Sequence, residues 1–352
     1  MGVRSLLMKA LLLPLVGVPF CSSVSAEPVD ITDYVQQQLN EFPDKKHNEI
    51  VQQYRELHPE NNNKELKYIV YKEQDEEKEE NIIKLVDLEK KILDSVEESR
   101  KNNYYEKGER VAFLAYDINK KEYLVDINSD VKMQCASMAK VFAMSAYFIQ
   151  VEKGKLKYTK EDQKFMKEMI RSDRRKGDRT NQAFNRFVKK VGGPAAVQEL
   201  LTTKYPGIFI NIDINEYIPL PSERTYKNMA SAKDYMRFLI ALKENKLPYS
   251  KKMLELMNRL DNDEEKLYAK GGLTARQAGV MRLHEHEDCE GKKYSLILVS
   301  IIDKDKRANF KKWKETKQFD VHYYSNLMSR YFYNEYGLNV LCKPEDKLSK
   351  LE

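Results

Sequence analysis

The serine and the lysine of the segment Ser137-Met138-Ala139-Lys140 have the spacing that nucleophilic catalysis needs. Residues three positions apart on a helix share one face, so an amine can lie close enough to a hydroxyl to take its proton. An apolar stretch, 141–149, follows at once, and it would bury the lysine stem and lower the pKa of the amine. Most Ser-x-x-Lys tetrads in a lysine-rich protein are surface helix starts capped by the serine. The pair is therefore a candidate nucleophile and base that other motifs must support.

That support comes from a resemblance that runs from about residue 82 to residue 340. This stretch is similar to the class A β-lactamase and penicillin-binding-protein family, whose members carry Ser-x-x-Lys, Ser-Asp-Asn and Lys-Thr-Gly motifs in this order. In that family the second motif opens a helix that ends in Gly-Gly-Pro, and Gly192-Gly193-Pro194 is present here. Counting back from this tripeptide places Asn181 on the asparagine of the second motif.

The residues before Asn181 depart from the family pattern. Arg179 and Thr180 stand where a serine and an aspartate are expected. In a second interpretation, Ser172-Asp173 starts the motif and an insertion, 174–179, separates it from Asn181. Ser172 would then be the proton shuttle to the leaving group. The sequence leaves both interpretations open.

The third motif is Lys270-Gly271-Gly272, which Leu273-Thr274 follows. It resembles the Lys-Thr-Gly strand of the family, with Gly271 in place of the hydroxyl residue. The resemblance implies that Lys270 supplies positive charge for a substrate carboxylate and helps proton transfer. It also implies that Gly272, Leu273 and Thr274 bind the substrate, and that the backbone N–H of Leu273 joins that of the nucleophile in an oxyanion hole. Glycines in this strand would let a substrate backbone approach closely.

The loop that would release the acyl group also departs from the family. Class A β-lactamases carry a Glu-x-x-x-Asn loop, whose glutamate activates the deacylating water. Here the matching segment is 211–219, where Asn215 fits the family and Asn211 stands in place of the glutamate. An amide cannot act as a general base near neutral pH. The resemblance therefore predicts slow release of an acylated β-lactam.

The N-terminus has the features of a secretory signal. The basic residues Arg4 and Lys9 precede an apolar run over 10–20, and the small residues Val24-Ser25-Ala26 form a cleavage site. The apolar run is shorter than the ~20 residues of a membrane span. Cleavage after Ala26 would leave an exported protein, periplasmic or secreted, without a membrane attachment.

The charge of the chain is dense but nearly balanced, with 61 basic and 55 acidic side chains among 352 residues. No basic stripe or stacking motif indicates nucleic-acid binding. After signal cleavage the cysteines are Cys135, Cys289 and Cys342, an odd number that supports no disulfide framework. His284, His286 and Cys289 have a metal-like spacing, but no fourth ligand is visible and a polar hairpin tip is preferred. Neither a metal nor another cofactor is expected.

The apolar pattern predicts which elements position these residues. Residues 82–101 have helical spacing, and two strand-like runs flank Asn119-Lys120-Lys121 as in a hairpin. The middle, 137–266, is mostly helical. Two more strands flank a polar turn at 287–292, and a last helix is expected over 319–336.

This order predicts an α+β fold with three layers, α/β/α. Its antiparallel sheet is built from both ends of the domain, and the helical region is inserted between them. An irregular segment, 208–228, interrupts the helices, and long irregular segments are often functional. The expected organisation is a signal peptide at 1–26, a polar helical appendage at 27–81 and the catalytic domain at 82–352.

Together the motifs predict a serine hydrolase that is acylated at Ser137 after Lys140 has taken its proton. The resemblance implies a β-lactam or a D-Ala-D-Ala-type peptide of peptidoglycan as substrate. The alternative is a catalytically impaired binding protein of the same fold, because Arg179, Thr180 and Gly271 depart from the motifs. The sequence does not indicate the oligomeric state.

Overall fold

The computed structural model describes residues 88–102, 104–171, 177–218, 227–261, 265–288, 291–304, 309–336 and 338. Several predicted features lie outside these residues: the signal peptide 1–26, the appendage 27–81, Ser172, Cys289 and Cys342. The domain limits at residues 82 and 352 also lie outside them and stay predictions.

A six-stranded antiparallel sheet forms the middle layer. Its strands are β1 (Glu109–Asp117), β2 (Glu122–Ile127), β5 (Asn258–Asp261), β6 (Glu265–Leu273), β7 (Gln277–Glu287) and β8 (Lys293–Lys304). Their order is β2-β1-β8-β7-β6-β5, so the first and last parts of the domain meet at the pairing of β1 with β8. The predicted sheet built from both chain ends is confirmed.

Helices cover both faces of this sheet. They are α1 (Leu88–Lys101), α2 (Lys140–Glu152), α3 (Lys160–Arg171), α4 (Gly177–Val191), α5 (Pro194–Lys204), α6 (Ala232–Lys243), α7 (Ser250–Met257) and α8 (Phe310–Glu335). Helices α2 to α7 form the predicted helical middle on one face, and α1 and α8 cover the other. None of the helices in the described part of the chain is both long and apolar enough to cross a membrane.

Strand β1 shows how the sheet separates two hydrophobic cores. Ala112 and Leu114 belong to the core beneath α2 to α7, whereas Val111 and Phe113 belong to the core beneath α1 and α8. Successive side chains of a strand point to opposite faces, so a strand with helices on both sides is apolar on both faces. The three-layer α+β architecture predicted from the sequence is confirmed.

Two short strands lie outside the large sheet and were not predicted. β3 (Met133–Gln134) pairs with β4 (Met229–Ala230), and a short 3₁₀ turn, Ala136–Ala139, leads from β3 into α2. The segment 209–218 contains neither helix nor strand apart from a single bridge to β4, as expected for the irregular segment. Its continuation, 219–226, lies outside the described residues.

The last helix begins earlier than the predicted 319. It starts at Phe310, and the cause of the wrong boundary is Lys317. This lysine is 2% exposed and occupies a core-facing position, so the apolar period that marks an amphipathic helix is interrupted there. Ion pairs of Lys317, together with the buried side chain of Trp313, hold this first part of α8 to the sheet.

These ion pairs form a buried cluster in which two carboxylates share one ammonium. Lys317 Nζ lies 3.1 Å from Glu109 Oε2 and 3.5 Å from Asp320 Oδ2. It also packs 3.7 Å from the ring centre of Tyr105. Burial raises the pKa of Asp320 to about 6 and raises that of Glu109 as well, because a dry site disfavours the excess negative charge.

We expect wild-type protein to lose stability relative to Asp320→Asn as the pH rises from about 4 to about 6. The unfolded chain releases the Asp320 proton near pH 4, whereas the folded chain keeps it up to about pH 6, so the folded state binds more protons in this window. Urea unfolding of both proteins at several pH values measures the difference in the free energy of unfolding. A difference that is independent of pH would contradict the raised pKa.

Candidate active site

Ser137 lies in a strained turn at the entrance to α2. The preceding residue, Ala136, has a φ of 43°, in the left-handed region that a residue with a Cβ rarely adopts. Such a conformation costs about 1–3 kcal/mol and persists only where the surrounding structure enforces it, often at active sites. The turn leaves Ser137 partly exposed, while Ala136, Met138 and Ala139 on either side of it are buried.

The structure brings Lys140 to Ser137. Lys140 begins α2 and is 1% exposed. Its Nζ lies 3.1 Å from Ser137 Oγ and 2.9 Å from Thr180 Oγ1, within hydrogen-bond distance of both hydroxyls. Burial lowers the pKa of Lys140 to about 7. A large fraction of the amine is therefore neutral near pH 7 and able to accept a proton.

Among the residues considered for the second motif, Thr180 is the one that contacts Lys140. Sequence comparison placed it where an aspartate is expected, but its hydroxyl accepts a hydrogen bond from Lys140. Thr180 begins a buried stripe of α4 that continues with Phe184, Phe187 and Val188. This helical period in the sequence could have indicated that Thr180 lies on the buried face of α4, but not which side chain it meets.

The other candidates for the second motif are Asn181, Arg179 and Ser172. Asn181 follows Thr180 and is 7% exposed, so it lies buried beside the candidate site. Arg179 is exposed at the first turn of α4. Ser172 lies outside the described residues, and its assignment as a proton shuttle stays a prediction.

Lys270 is a second buried amine near the first. It lies on β6, is 2% exposed and donates a hydrogen bond to Gly271 O at 2.9 Å. Burial lowers the pKa of Lys270 well below its ordinary range, and the positive charges of Lys140 and Arg259 lower it further. An anion that binds beside Lys270 would raise this pKa and restore the ammonium charge.

Gly272 lets β6 lie directly against the Ser137 turn. A Cβ at this position would be 2.9 Å from Ser137 N, 3.0 Å from Cys135 O and 3.1 Å from Met138 N. These neighbours are backbone atoms, which cannot rotate away as a side chain does. The absence of a Cβ therefore brings the backbone that leads into Leu273 close to the backbone N–H of Ser137.

The hydroxyl of Thr274, a residue expected to bind substrate, lies in the turn between β6 and β7. Its side chain is 6% exposed, and its hydroxyl accepts hydrogen bonds from the backbone N–H groups of Arg276 and Gln277 at 3.1 Å each. Short hydroxyl side chains often close turns in this way. Thr274 thus shapes the connection between β6 and β7, and its role in substrate binding stays a prediction.

The irregular segment is joined to the nucleophile segment through Asn228. The backbone oxygen of Asn228 accepts a hydrogen bond from Cys135 N at 2.9 Å. Its side-chain oxygen accepts from the backbone N–H groups of Asn215 and Glu216 at 2.9 and 3.1 Å. Asn228 is 1% exposed, so this amide fixes the loop against the segment that carries Ser137.

Further along the loop, Ile218 is held to the helix of Thr180. The Asn185 amide of α4 donates to Ile218 O at 2.8 Å and accepts from Ile218 N at 2.7 Å. Asn211 has other contacts: its backbone N–H bonds to Asp234 and its side chain to Asp130 O. The contacts that tie the loop to α4 thus place Ile218, rather than Asn211, beside that helix.

The histidines of the suspected metal spacing serve other contacts. His284 Nδ1 lies 3.1 Å from the hydroxyl of Tyr333 and 3.4 Å from Glu265 Oε1, and these contacts join β7 to α8 and β6. In the part of the chain that the structure describes, no three His, Cys, Asp or Glu side chains are placed to hold a metal ion. Cys289 lies outside it.

Comparisons with known proteins find a matching family model and shared folds. Residues 87–184 match the model of the family described as the beta-lactamase enzyme family. PBP-A, in the acyl-enzyme complex of a variant with penicillin G, is 14% identical, and the match covers 71% of this chain and 97% of that chain with a TM-score of 0.55. No curated protein sequence matches at a significant level.

Two β-lactamase structures have the same fold. One, from Sphaerobacter thermophilus, is 15% identical and covers 66% of this chain and 94% of its own, with a TM-score of 0.51. The other is a variant of the class A enzyme of the last common ancestor of Gram-negative bacteria, which is 13% identical and covers 70% and 99%, also with a TM-score of 0.51. At these identities the structural likeness shows the fold alone.

The close approach at Gly272 predicts that Gly272→Ala is more destabilising than Gly271→Ala. The new methyl group would meet the Ser137 backbone at 2.9 Å, whereas at Gly271 the nearest atom is Gly279 O at 3.4 Å. We expect Gly272→Ala to lower the free energy of unfolding by about 1–3 kcal/mol, the usual cost of overpacking. Urea denaturation compares the two variants, and equal losses would show that β6 does not press on the turn.

Proposed function

We propose a serine acyl-transfer function for this protein. The premise is that the chain resembles β-lactamases and penicillin-binding proteins, a resemblance that the family model and the shared fold confirm. The observation that carries the proposal is the contact between Ser137 and the buried amine of Lys140. A hydroxyl within 3.1 Å of an amine whose pKa is about 7 has both the geometry and the basicity for proton transfer near neutral pH. Ser137 is the nucleophile in this mechanism.

Acylation starts with the neutral form of Lys140. Thr180 accepts one N–H of the amine, which leaves the lone pair for the Ser137 hydroxyl. As Lys140 takes the proton, Ser137 Oγ bonds to the carbonyl carbon of the substrate and the carbonyl oxygen becomes an oxyanion. Collapse of this intermediate breaks the carbon–nitrogen bond, and the proton held by Lys140 passes to the leaving nitrogen.

The oxyanion would bind to the backbone N–H groups of Ser137 and Leu273. Support for this hole comes from Gly272, whose position beside Ser137 N brings the two peptide groups together. Such donors typically contribute about 3 kcal/mol each to transition-state stabilisation. Because backbone groups supply them, replacing the usual hydroxyl residue by Gly271 does not remove this part of the mechanism.

The proposed substrates are β-lactams or D-Ala-D-Ala-type peptides of peptidoglycan. Both have an amide-like carbonyl and a carboxylate, which suits a serine nucleophile beside the second amine, Lys270. In support, a single-residue variant of PBP-A, a protein of the same fold, forms an acyl-enzyme with penicillin G. The secretory signal features at 1–26 support an activity outside the cytoplasm, where peptidoglycan lies.

Slow deacylation is part of the proposal. The loop residue bonded to α4 is Ile218, whose alkyl side chain cannot accept a proton from water. The two carboxylates of segment 209–218 are engaged elsewhere: Asp213 pairs with Lys132 at 2.8 Å, and Glu216 accepts from Lys227 N at 2.8 Å. With Asn211 bonded to Asp234 as well, the described part of the loop offers no general base for the acyl-enzyme.

Incubation with penicillin G should add the mass of one penicillin to the mature protein, and the adduct should persist because deacylation is slow. Ser137→Ala should abolish the adduct. Ser145→Ala is a matched control, because Ser145 is buried in α2 and donates to Val141 O away from the contacts of Ser137. Intact-protein mass spectrometry followed by peptide mapping makes the measurement.

Two other outcomes would contradict parts of the proposed function. Rapid formation of hydrolysed product with only a transient adduct would contradict slow deacylation and identify an efficient β-lactamase. No adduct on the wild-type protein would contradict the serine mechanism and favour the impaired binding protein.

The rate constant of acylation should rise with pH up to about 7 and then level off. Above the lowered pKa of Lys140 most of the amine is neutral and can take the serine proton; below it the ammonium form cannot. Lys140→Arg, which stays protonated, should slow acylation at least about a hundredfold. Rapid-mixing kinetics with a fluorescent penicillin, with Lys132→Arg as the control, measures both effects. A flat pH profile would contradict Lys140 as the base.

A further inference from the structure

The segment that leads to Ser137 lies on a row of polar side chains at one end of the sheet. Arg110 of β1, Asp303 of β8 and Gln277 of β7 are direct partners in the strand register. Partners in antiparallel strands project their side chains to the same face. Asp303 and Gln277 are both 0% exposed, whereas the Arg110 side chain is 39% exposed, so the row forms a polar platform that is buried except at Arg110.

The nucleophile segment contacts this platform on both sides of Ser137. Asp303 Oδ2 accepts a hydrogen bond from Gln134 N at 3.0 Å. On the other side of the serine, Met138 Sδ lies 3.8 Å from Gln277 Nε2. Gln134 also donates from its side chain to Lys304 O at 2.9 Å, so β3 is fastened to the end of β8 by two hydrogen bonds.

Arg110 holds the Asp303 carboxylate in place. Its Nε donates to Oδ1 at 2.8 Å and its Nη2 to Oδ2 at 2.6 Å. A two-point contact of this kind fixes the plane of the carboxylate as well as its position. The oxygen that accepts from Gln134 N therefore has a defined place in the structure.

The turn needs such fastening because its own elements are short and strained. β3 has only the residues Met133 and Gln134, and Ala136, between Gln134 and Ser137, keeps a left-handed φ. A strained backbone relaxes when the contacts that enforce it are removed. Relaxation here would move Ser137 Oγ away from Lys140 Nζ.

The geometry points to Asp303 as a positioning residue for Ser137, an inference that rests on the proposed function. The contacts described above join Asp303 to Arg110 and to Gln134 N, and none of them joins it to Lys140 or to the Ser137 hydroxyl. It acts through Gln134 N, by holding the entrance of the strained turn against the sheet. Its effect is on the rate of the acylation step, since a small displacement of a nucleophile can slow a reaction up to about a hundredfold.

The test compares Asp303→Asn with Asp162→Asn. An asparagine keeps the shape of the side chain, and Arg110, whose side chain is 39% exposed, can be hydrated when it loses the charged partner, so the variant is expected to fold. Asp162 is also 0% exposed and pairs with Lys190 of α4. It accepts hydrogen bonds from Thr159 and from Tyr147, which lies in α2 seven residues beyond Lys140 and away from the Ser137 turn. Rapid mixing with a fluorescent penicillin separates the affinity of the initial complex from the acylation rate constant.

We expect Asp303→Asn to lower the acylation rate constant at least about tenfold, with the affinity of the initial complex changed less than about twofold. The pH midpoint of acylation should stay at that of the wild type, because Asp303 does not act on the proton affinity of Lys140. Asp162→Asn should lose stability without losing acylation rate. The inference is overturned if both variants lose the same rate, if Asp303→Asn loses none, or if its pH midpoint moves.

Hydrogen–deuterium exchange keeps this test separate from that of the proposed function. If wild-type protein forms no penicillin adduct, the proposed function fails, but the exchange of peptide 133–140 still reports the fastening of the turn. Exchange in this peptide should be faster in Asp303→Asn and unchanged in Asp162→Asn. Equal protection in all three proteins would overturn the role of Asp303.

Discussion

The contact of the Lys140 amine with the hydroxyls of Ser137 and Thr180 is the interaction on which the rest of the structure depends. A charged ammonium is costly to bury, so the apolar surroundings of α2 shift this lysine toward its neutral form. Every residue from Lys140 to Ile149 is buried, because helices surround α2 and the sheet lies beneath it. The same packing that completes the hydrophobic core thus lowers the pKa of Lys140 to about 7, as the proposed role of a base requires.

A base of this kind is useful only if the nucleophile is held beside it. The Ser137 turn is confined by neighbours that are distant from one another in the chain: Gly272 on β6, Asp303 on β8 and Asn228 before β4. Each holds a different backbone group of the same short segment. In this segment Ala136 has a left-handed φ, which costs conformational free energy, and the contacts with the three neighbours offset that cost.

The irregular segment closes the site from the side of α4. Asn228 bonds the loop to the nucleophile segment, and Asn185 bonds it to the helix that carries Thr180. These contacts fix residues 215–218 of the loop, and next to α4 this stretch has the alkyl group of Ile218. In the proposed mechanism, this arrangement would favour formation of an acyl-enzyme over its hydrolysis.

The sequence by itself determined the features whose signal is local: the spacing of Ser137 and Lys140, the glycines of the third motif, the order of helices and strands, and from these the α+β fold. Such features depend on helix and strand periods and on backbone geometry over a few residues. The start of α8 was missed because the buried Lys317 interrupts the apolar period and finds its partners, Glu109 and Asp320, only in the folded chain.

Tertiary structure alone decided which hydroxyl meets Lys140, which loop residue lies against α4, and what holds the Ser137 turn. Thr180 is 40 positions from Lys140, and Asp303 is 169 positions from Gln134. A hydrogen bond between such residues leaves no periodic mark in the sequence, because it depends on how whole helices and strands pack.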